Sequence, residues 1–204
     1  MIKTMYIGSG DVKDLLAGKE TKGHHELIKR FVSGLKPYYN AKSSPIDACR
    51  TGAILEDRYL LSLDDCYYAQ FTVFSKEMDV FKASLDFAKL DSGKIVDFDE
   101  LKAISFGDYL NFIPYKDNNK LLLEKVKKDY KQYYNQVQEQ LYCTGLESAN
   151  LVFIPVFSYD DEENAKRDIG EDEKLKIRIQ RDEKVIRSIK ERGYIFQQIK
   201  NCYR

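Results

Sequence analysis

The chain has no run of about 18 apolar residues, so no membrane-spanning helix is expected. Its start, Met1-Ile2-Lys3-Thr4-Met5, leads into a Gly/Ser/Asp turn where a secretory signal would carry an apolar stretch. Both absences predict a cytoplasmic protein. Soft metal ligands are scarce. Four cysteines (Cys49, Cys66, Cys143 and Cys202) form no C-x-x-C pair, and only His24 and His25 could join them. That spacing excludes an ordinary structural zinc site and predicts free thiols in a reducing compartment. An excess of either charge is also missing: 33 basic residues balance 33 acidic ones, so no global field announces a nucleic-acid partner. A nucleic-acid binder with this balance must sort its charges in space. Neither an internal repeat nor a low-complexity linker interrupts the 204 residues, which predicts one domain over 1–204.

What is present suits a folded α/β chain: 43% hydrophobic residues can build a core. Charge is sorted along the sequence. Segment 116–131 holds Lys116, Lys120, Lys125, Lys127, Lys128 and Lys131, and the stretch from Lys174 onward is rich in Lys and Arg. Acidic residues gather in 160–173. Solvated helix faces would look the same. Gly8-Ser9-Gly10-Asp11 precedes Val12-x-x-Leu15-Leu16, a short capped helix whose start could instead hold a phosphate on backbone N–H groups. Residues 24–35 predict an amphipathic helix with Leu27, Ile28, Phe31, Val32 and Leu35 on one side. A loop with Pro37 and Pro45 follows. A helix over 46–63 then offers Ile46, Ala53, Ile54, Leu60 and Leu61 to the core. Aromatic and β-branched residues mark 67–74 as a strand. Segments 79–90 and 94–104 form a hairpin across Asp91-Ser92-Gly93. A long helix over 119–142, an apolar central strand over 149–158 disturbed at Pro155, a strand over 174–180 and a helix over 181–202 complete the order. This predicts an α/β (α+β) architecture with a central mixed sheet flanked by helices.

The hairpin carries chemistry. Asp86 lies on its first strand and Glu100-Leu101-Lys102 on its second. Side chains alternate along a strand, so Glu100 and Lys102 share a face while Leu101 turns into the core. Closure near Ser92-Gly93 brings Asp86 close to Glu100. Two neighbouring carboxylates are tolerable when a hard divalent cation lies between them. Such a cation, with Lys102 to orient a nucleophile or offset charge, is what phosphodiester hydrolysis requires. A surface hairpin could hold the same trio, so three further features count. Gly52-x-x-x-Glu56 adds an acid on the preceding helix. Tyr133-Tyr134-Asn135-Gln136-Val137-Gln138-x-Gln140-Leu141 supplies amides able to bond a phosphate or water. The Ser9 turn offers a hydroxyl.

In this order the motifs resemble the phage lambda-type exonucleases, also described as YqaJ-like viral recombinases, within the PD-(D/E)XK nuclease superfamily. Ile7-Gly8-Ser9-Gly10-Asp11-Val12 is similar to the family's opening Ser motif, and Gly52-Ala-Ile-Leu-Glu56 to its helix acid. Ser84-Leu85-Asp86 is similar to its Ser-Pro-Asp-Gly segment, and Glu100-Leu101-Lys102 to its E-x-K. Asn135-Gln136-Val137-Gln138 followed by Thr144-Gly145 resembles its glutamine helix, and Ile179-Gln180-Arg181-Asp182-Glu183-Lys184 its entry into the last helix. Leu85 and Phe87 stand where the family has Pro and Gly. The resemblance implies a restriction-endonuclease-like fold and 5′-to-3′ degradation of linear duplex DNA in recombination by single-strand annealing. It implies Mg2+, with Mn2+ able to substitute, on Asp86, Glu100, the Leu101 carbonyl and Glu56. Lys102 would act on the water, while Ser9, Ser84, Gln136 and Gln138 would line the phosphate and DNA pocket. It further implies an annealing partner, a trimeric assembly and, for a phage-encoded chain, the host cytoplasm. A structure-specific or nicking endonuclease of the same fold, or a non-catalytic DNA-binding relative, are the alternatives. Either Glu77 or Asp79 could supply an additional acid.

Overall fold

The computed structural model describes residues 5–33, 46–157 and 163–203, with the side chains of 46–49 excepted. The predicted features at Leu35, Pro37, Pro45, the Ile46 side chain and the start of the acidic loop lie outside the described residues. A six-stranded mixed sheet occupies the centre. Its strands are β1 (Ile7–Gly8), β2 (Tyr67–Phe74), β3 (Phe81–Asp91), β4 (Lys94–Ser105), β5 (Ser148–Val156) and β6 (Leu175–Gln180). They run in the order β1-β3-β4-β5-β6, with β2 alongside β3. Pairs β1/β3 and β4/β5 are parallel, and the others are antiparallel. The helices are α1 (Val12–Leu16), α2 (Lys22–Ser33), α3 (Ile46–Leu61), α4 (Phe106–Leu110), α5 (Asn119–Asp129), α6 (Lys131–Thr144) and α7 (Glu183–Cys202). The predicted mixed sheet flanked by helices is therefore observed. Among the described residues no helix is long and apolar enough to cross a membrane.

Alternation along β5 feeds two apolar clusters. Leu151 and Phe153 join the larger one, with Phe81, Phe98, Val137 and Phe196. Val152 and Ile154 join the smaller, with Leu55, Tyr59, Phe87 and Leu101. Opposite faces of one strand thus seal opposite sides of the sheet. Pro155 sits beyond the end of β6, whose pairing with β5 stops at Phe153↔Leu175, so its missing N–H leaves no gap in that ladder.

Two predicted elements need correction. The helix over 119–142 is two helices, α5 and α6, broken at Tyr130 (φ −130°, ψ 39°). Tyr130 leaves helical geometry where its ring packs against Phe112, Tyr133 and Phe153. On α3 the buried stripe is Thr51, Leu55 and Tyr59, while Ala53 and Leu61 are exposed. The i, i+4 spacing of that stripe selects a different face from the one predicted.

The β3–β4 turn is of the primed type, with Ser92 at φ 49° and Gly93 at φ 75°. Beyond it, Leu90 pairs with Ile95 but Lys89 pairs with Asp97, leaving Val96 as a bulge residue. Register carried straight from the turn would set Asp86 against Asp99. The extra residue moves the alignment by one place, and the pairing Phe87↔Asp99 directs Asp86 at Glu100.

Candidate active site

The β3–β4 ladder ends at Phe87↔Asp99. Past that point β4 continues along β5 to Ser105, while the start of β3 pairs with β1. The two strands diverge at Asp86 and Glu100, and side chains satisfy the backbone groups this frees. Leu101 N–H donates to Asp86 Oδ2 (2.9 Å), and Gln140 Nε2 donates to the Ser84 carbonyl (3.0 Å). The Leu101 side chain turns into the smaller core, as predicted.

Glu100 is fully buried in this opening. Its Oε1 accepts from Lys102 Nζ (2.5 Å) and Gln136 Nε2 (2.5 Å), and its Oε2 from Gln140 Nε2 (2.5 Å). Lys102 Nζ also lies 3.8 Å from Asp86 Oδ2 and over the Tyr133 ring. Burial, partly offset by Lys102 and reinforced by Asp86, pushes the Glu100 carboxyl up to about 7. Burial raises Asp86 too, against the pull of Lys102 and the Leu101 N–H. Burial alone would lower Lys102, but Glu100 and Asp86 outweigh it and hold the ammonium above its usual range. Glu56 is half-buried, and its carboxyl is raised by burial and then by Asp86. Gln70 Nε2 donates to Glu56 Oε2 (3.3 Å). One turn along α3, Tyr59 donates to the buried Asp99 (2.6 Å), which also accepts from Asn150 and Lys176. Asp99, on the opposite face from Glu100, thereby clamps the helix that carries Glu56 onto β4.

The structure therefore gathers Asp86, Glu100, Lys102 and Gln136, with Glu56 near enough to feel the charges of Asp86 and Lys102 and Ser84 exposed two residues from Asp86 on β3. It does not gather Gln138 or Ser9. Gln138 is fully buried, donating to the Gln180 carbonyl (2.9 Å) and accepting from Asp182 N–H (2.7 Å), so it ties α6 to the β6–α7 junction. Ser9 is buried close to the Glu139 carboxyl, without a well-formed hydrogen bond. The turn before α1 is closed by Asp11, whose carboxylate accepts Gly8 N–H (3.1 Å) and pairs with Arg30 (2.8 Å). Ser9 and its turn therefore lie beside Glu139 and the Asp11–Arg30 pair, apart from the Asp86–Glu100–Lys102 cluster. Glu77 pairs with Lys190, and Asp79 with Gln197 and Lys200 on α7; neither joins the cluster. The sequence reading includes Gln140 and Tyr133 in its amide-bearing segment but gives neither a role of its own at the site. Helical spacing was the available signal, since Tyr133, Gln136 and Gln140 share one face of α6 and Gln138 does not.

Among the described residues no three His, Cys, Asp or Glu side chains converge as a closed metal cage. The donor set nevertheless fits a hard divalent ion. Two adjacent carboxylates, both pushed toward protonation by burial, are a donor pair whose charge a dication would match. Glu100 keeps one of its roughly four lone-pair positions free. A strand residue points its N–H and C=O to the same edge, so the Leu101 carbonyl faces the side where Asp86 lies. The Gln140 Oε1 atom is buried without a partner.

The chain shares its fold, a central mixed sheet flanked by helices, with solved exonucleases. An alkaline exonuclease from Laribacter hongkongensis superimposes with a TM-score of 0.64 at 18% identity, over 98% of this chain and 90% of that one. The same enzyme in complex with dAMP gives 0.62 at 20% identity, with the same coverage. A phage-related exonuclease from Haemophilus somnus gives 0.59 at 16% identity, over 96% and 93%. No family model and no curated protein matches the sequence.

Proposed function

We propose that this chain is a divalent-metal-dependent deoxyribonuclease that degrades linear duplex DNA from an end. The observation that carries this reading is the Asp86–Glu100–Lys102 cluster in the opening between β3 and β4, with Gln136 and Gln140 bonded to Glu100. Asp86, Glu100 and the Leu101 carbonyl would hold the ion, and Glu56 would assist from α3. Bound there, Mg2+ or Mn2+ would polarise a phosphate oxygen and acidify a water. Lys102 supplies a fixed positive charge beside the carboxylates for the attacking water or the charge developing at phosphorus. Gln136 and Gln140 hold the Glu100 carboxylate in one orientation. The structurally similar exonuclease solved with dAMP, a single deoxynucleotide, supports release of mononucleotides from an end. The resemblance to lambda-type enzymes supports 5′-to-3′ polarity, a recombination role with an annealing partner, and assembly as a trimer.

The test compares linear with closed circular duplex in the presence of magnesium or manganese. Degradation of the linear form alone, lost in Lys102→Ala, is the expected result. Digestion of the circle would favour an endonuclease. No turnover on any DNA with either metal would remove the enzymatic reading.

A further inference from the structure

α1, α6 and α7 pack against one another, and a cavity of about 300 Å³ opens between them. It is lined by Leu16, Lys131, Asn135, Lys184, Val185, Ser188 and Arg192. Three of these are cations and none is acidic. Another cavity, about 330 Å³ beside Tyr109, sets Lys116, Lys174 and Lys176 against Asp117, Glu171 and Asp172 and is self-neutralised. The two basic stretches of the sequence meet in the first cavity: Lys131 ends one, and Lys184 and Arg192 belong to the other.

Its groups are poised for an anion. Asn135 is 6% exposed, yet among the described residues its side-chain amide makes no hydrogen bond. Its amide is open to the cavity it lines, so both its donor and its acceptor are available to a ligand there. Lys131 and Lys184 have no ion pair among the described residues. Arg192 is held in place by Nη1 donation to the Leu15 (3.4 Å) and Ala17 (2.5 Å) carbonyls, which leaves its other donors for a ligand. α6 begins at Lys131 without a side-chain cap, so its first-turn N–H groups add a favourable potential for negative charge.

We propose that this cavity is a second phosphate-binding site, which grips the backbone of a DNA strand at a phosphate other than the one undergoing cleavage. The proposal rests on the nuclease reading above. Asn135 is next in sequence to Gln136, which bonds Glu100, so the cavity and the carboxylate pair lie on adjoining faces of one helix, about 100° apart. A strand passing Glu100 is within reach of both.

The test measures duplex binding by fluorescence anisotropy in EDTA, so that cleavage does not enter, across a range of salt. The variants are Lys131→Gln/Lys184→Gln and, with every charge kept, Asn135→Ala; alanine suits a helix interior, and thermal unfolding checks each fold. The double variant should bind about 10-fold more weakly, with its log–log salt slope reduced by about 1.8 for two lost phosphate contacts. Asn135→Ala should weaken binding by about 3- to 10-fold with the slope nearly unchanged. Wild-type affinity and slope in folded variants would overturn the proposal and leave the nuclease reading intact. Weakening in the double variant alone would also overturn it, since diffuse charge explains that. If inorganic phosphate raises the thermal midpoint of wild type but not of the double variant, while duplex affinity is equal, the cavity takes free phosphate and the strand assignment fails. A wild-type chain that neither binds duplex here nor cleaves any DNA with magnesium or manganese would remove the nuclease reading itself.

Discussion

Leu101 N–H donates to Asp86 Oδ2 across 2.9 Å, so one carboxylate serves both the sheet and the site. It closes the backbone where β3 leaves β4 and stands beside Glu100 and Lys102. Substitutions separate the two roles. Asp86→Asn keeps an acceptor for Leu101 and removes the charge. It should stay within about 1 kcal/mol of wild-type stability while losing metal-dependent cleavage by at least about 100-fold. Asp86→Ala also strands the Leu101 N–H and should unfold about 1–3 kcal/mol sooner in urea. Equal stability losses for the two variants would contradict the bridging role.

Gln138 and Gln140 invert the sequence expectation, and this can be measured. Gln140→Ala strips a donor from both Glu100 and the Ser84 carbonyl, so cleavage by the folded fraction should fall steeply. Gln138→Ala removes two bonds at the β6–α7 junction and should cost about 2 kcal/mol of stability. Its cleavage per folded molecule should match wild type. A large drop in turnover for well-folded Gln138→Ala would return that residue to the site.

Much of this arrangement is legible in the sequence because it rests on short-range rules. Alternation sets Glu100 and Lys102 on one face, and Ser92-Gly93 signals the hairpin. The Val96 bulge carries no such sign, yet it decides whether Asp86 meets Asp99 or Glu100. Side-chain partners are equally hidden. Nothing local to Ser9 reveals that Glu139, far along the chain, comes to lie against it. The break at Tyr130 follows from rings brought together by tertiary packing, which periodicity cannot register.

Gly193 tests how tightly α7 is seated. A Cβ at this buried position would overlap the ring of Phe81, which is fully buried at the start of β3 and cannot retreat to solvent. Alanine gains about 1 kcal/mol of helix propensity, but overpacking costs about 1–3 kcal/mol. The clash should win, and Gly193→Ala should lower the urea midpoint. A stabilised variant would mean that α7 can shift off the sheet.

Glu139 makes stability depend on pH. It is fully buried, and burial is the largest influence on its carboxyl; Ser9 and Cys143 lower it slightly, Asp11 and Glu100 raise it, and the result is about 8. In the unfolded chain this group titrates near the ordinary glutamate value of 4.5. Between those two values the native state holds a proton that the unfolded state has lost, so stability falls as pH rises, and the loss is complete above the folded value. At about 1.4 kcal/mol per pH unit, raising the pH from about 5.5 to about 7.5 should remove some 2–3 kcal/mol through this residue. Glu139→Gln keeps the shape and cannot ionise, so its stability curve should be flatter over that range and the variant should exceed wild type at about pH 8. Urea unfolding at several pH values reads this directly. Parallel curves for the two proteins would show that Glu139 is already ionised in the fold.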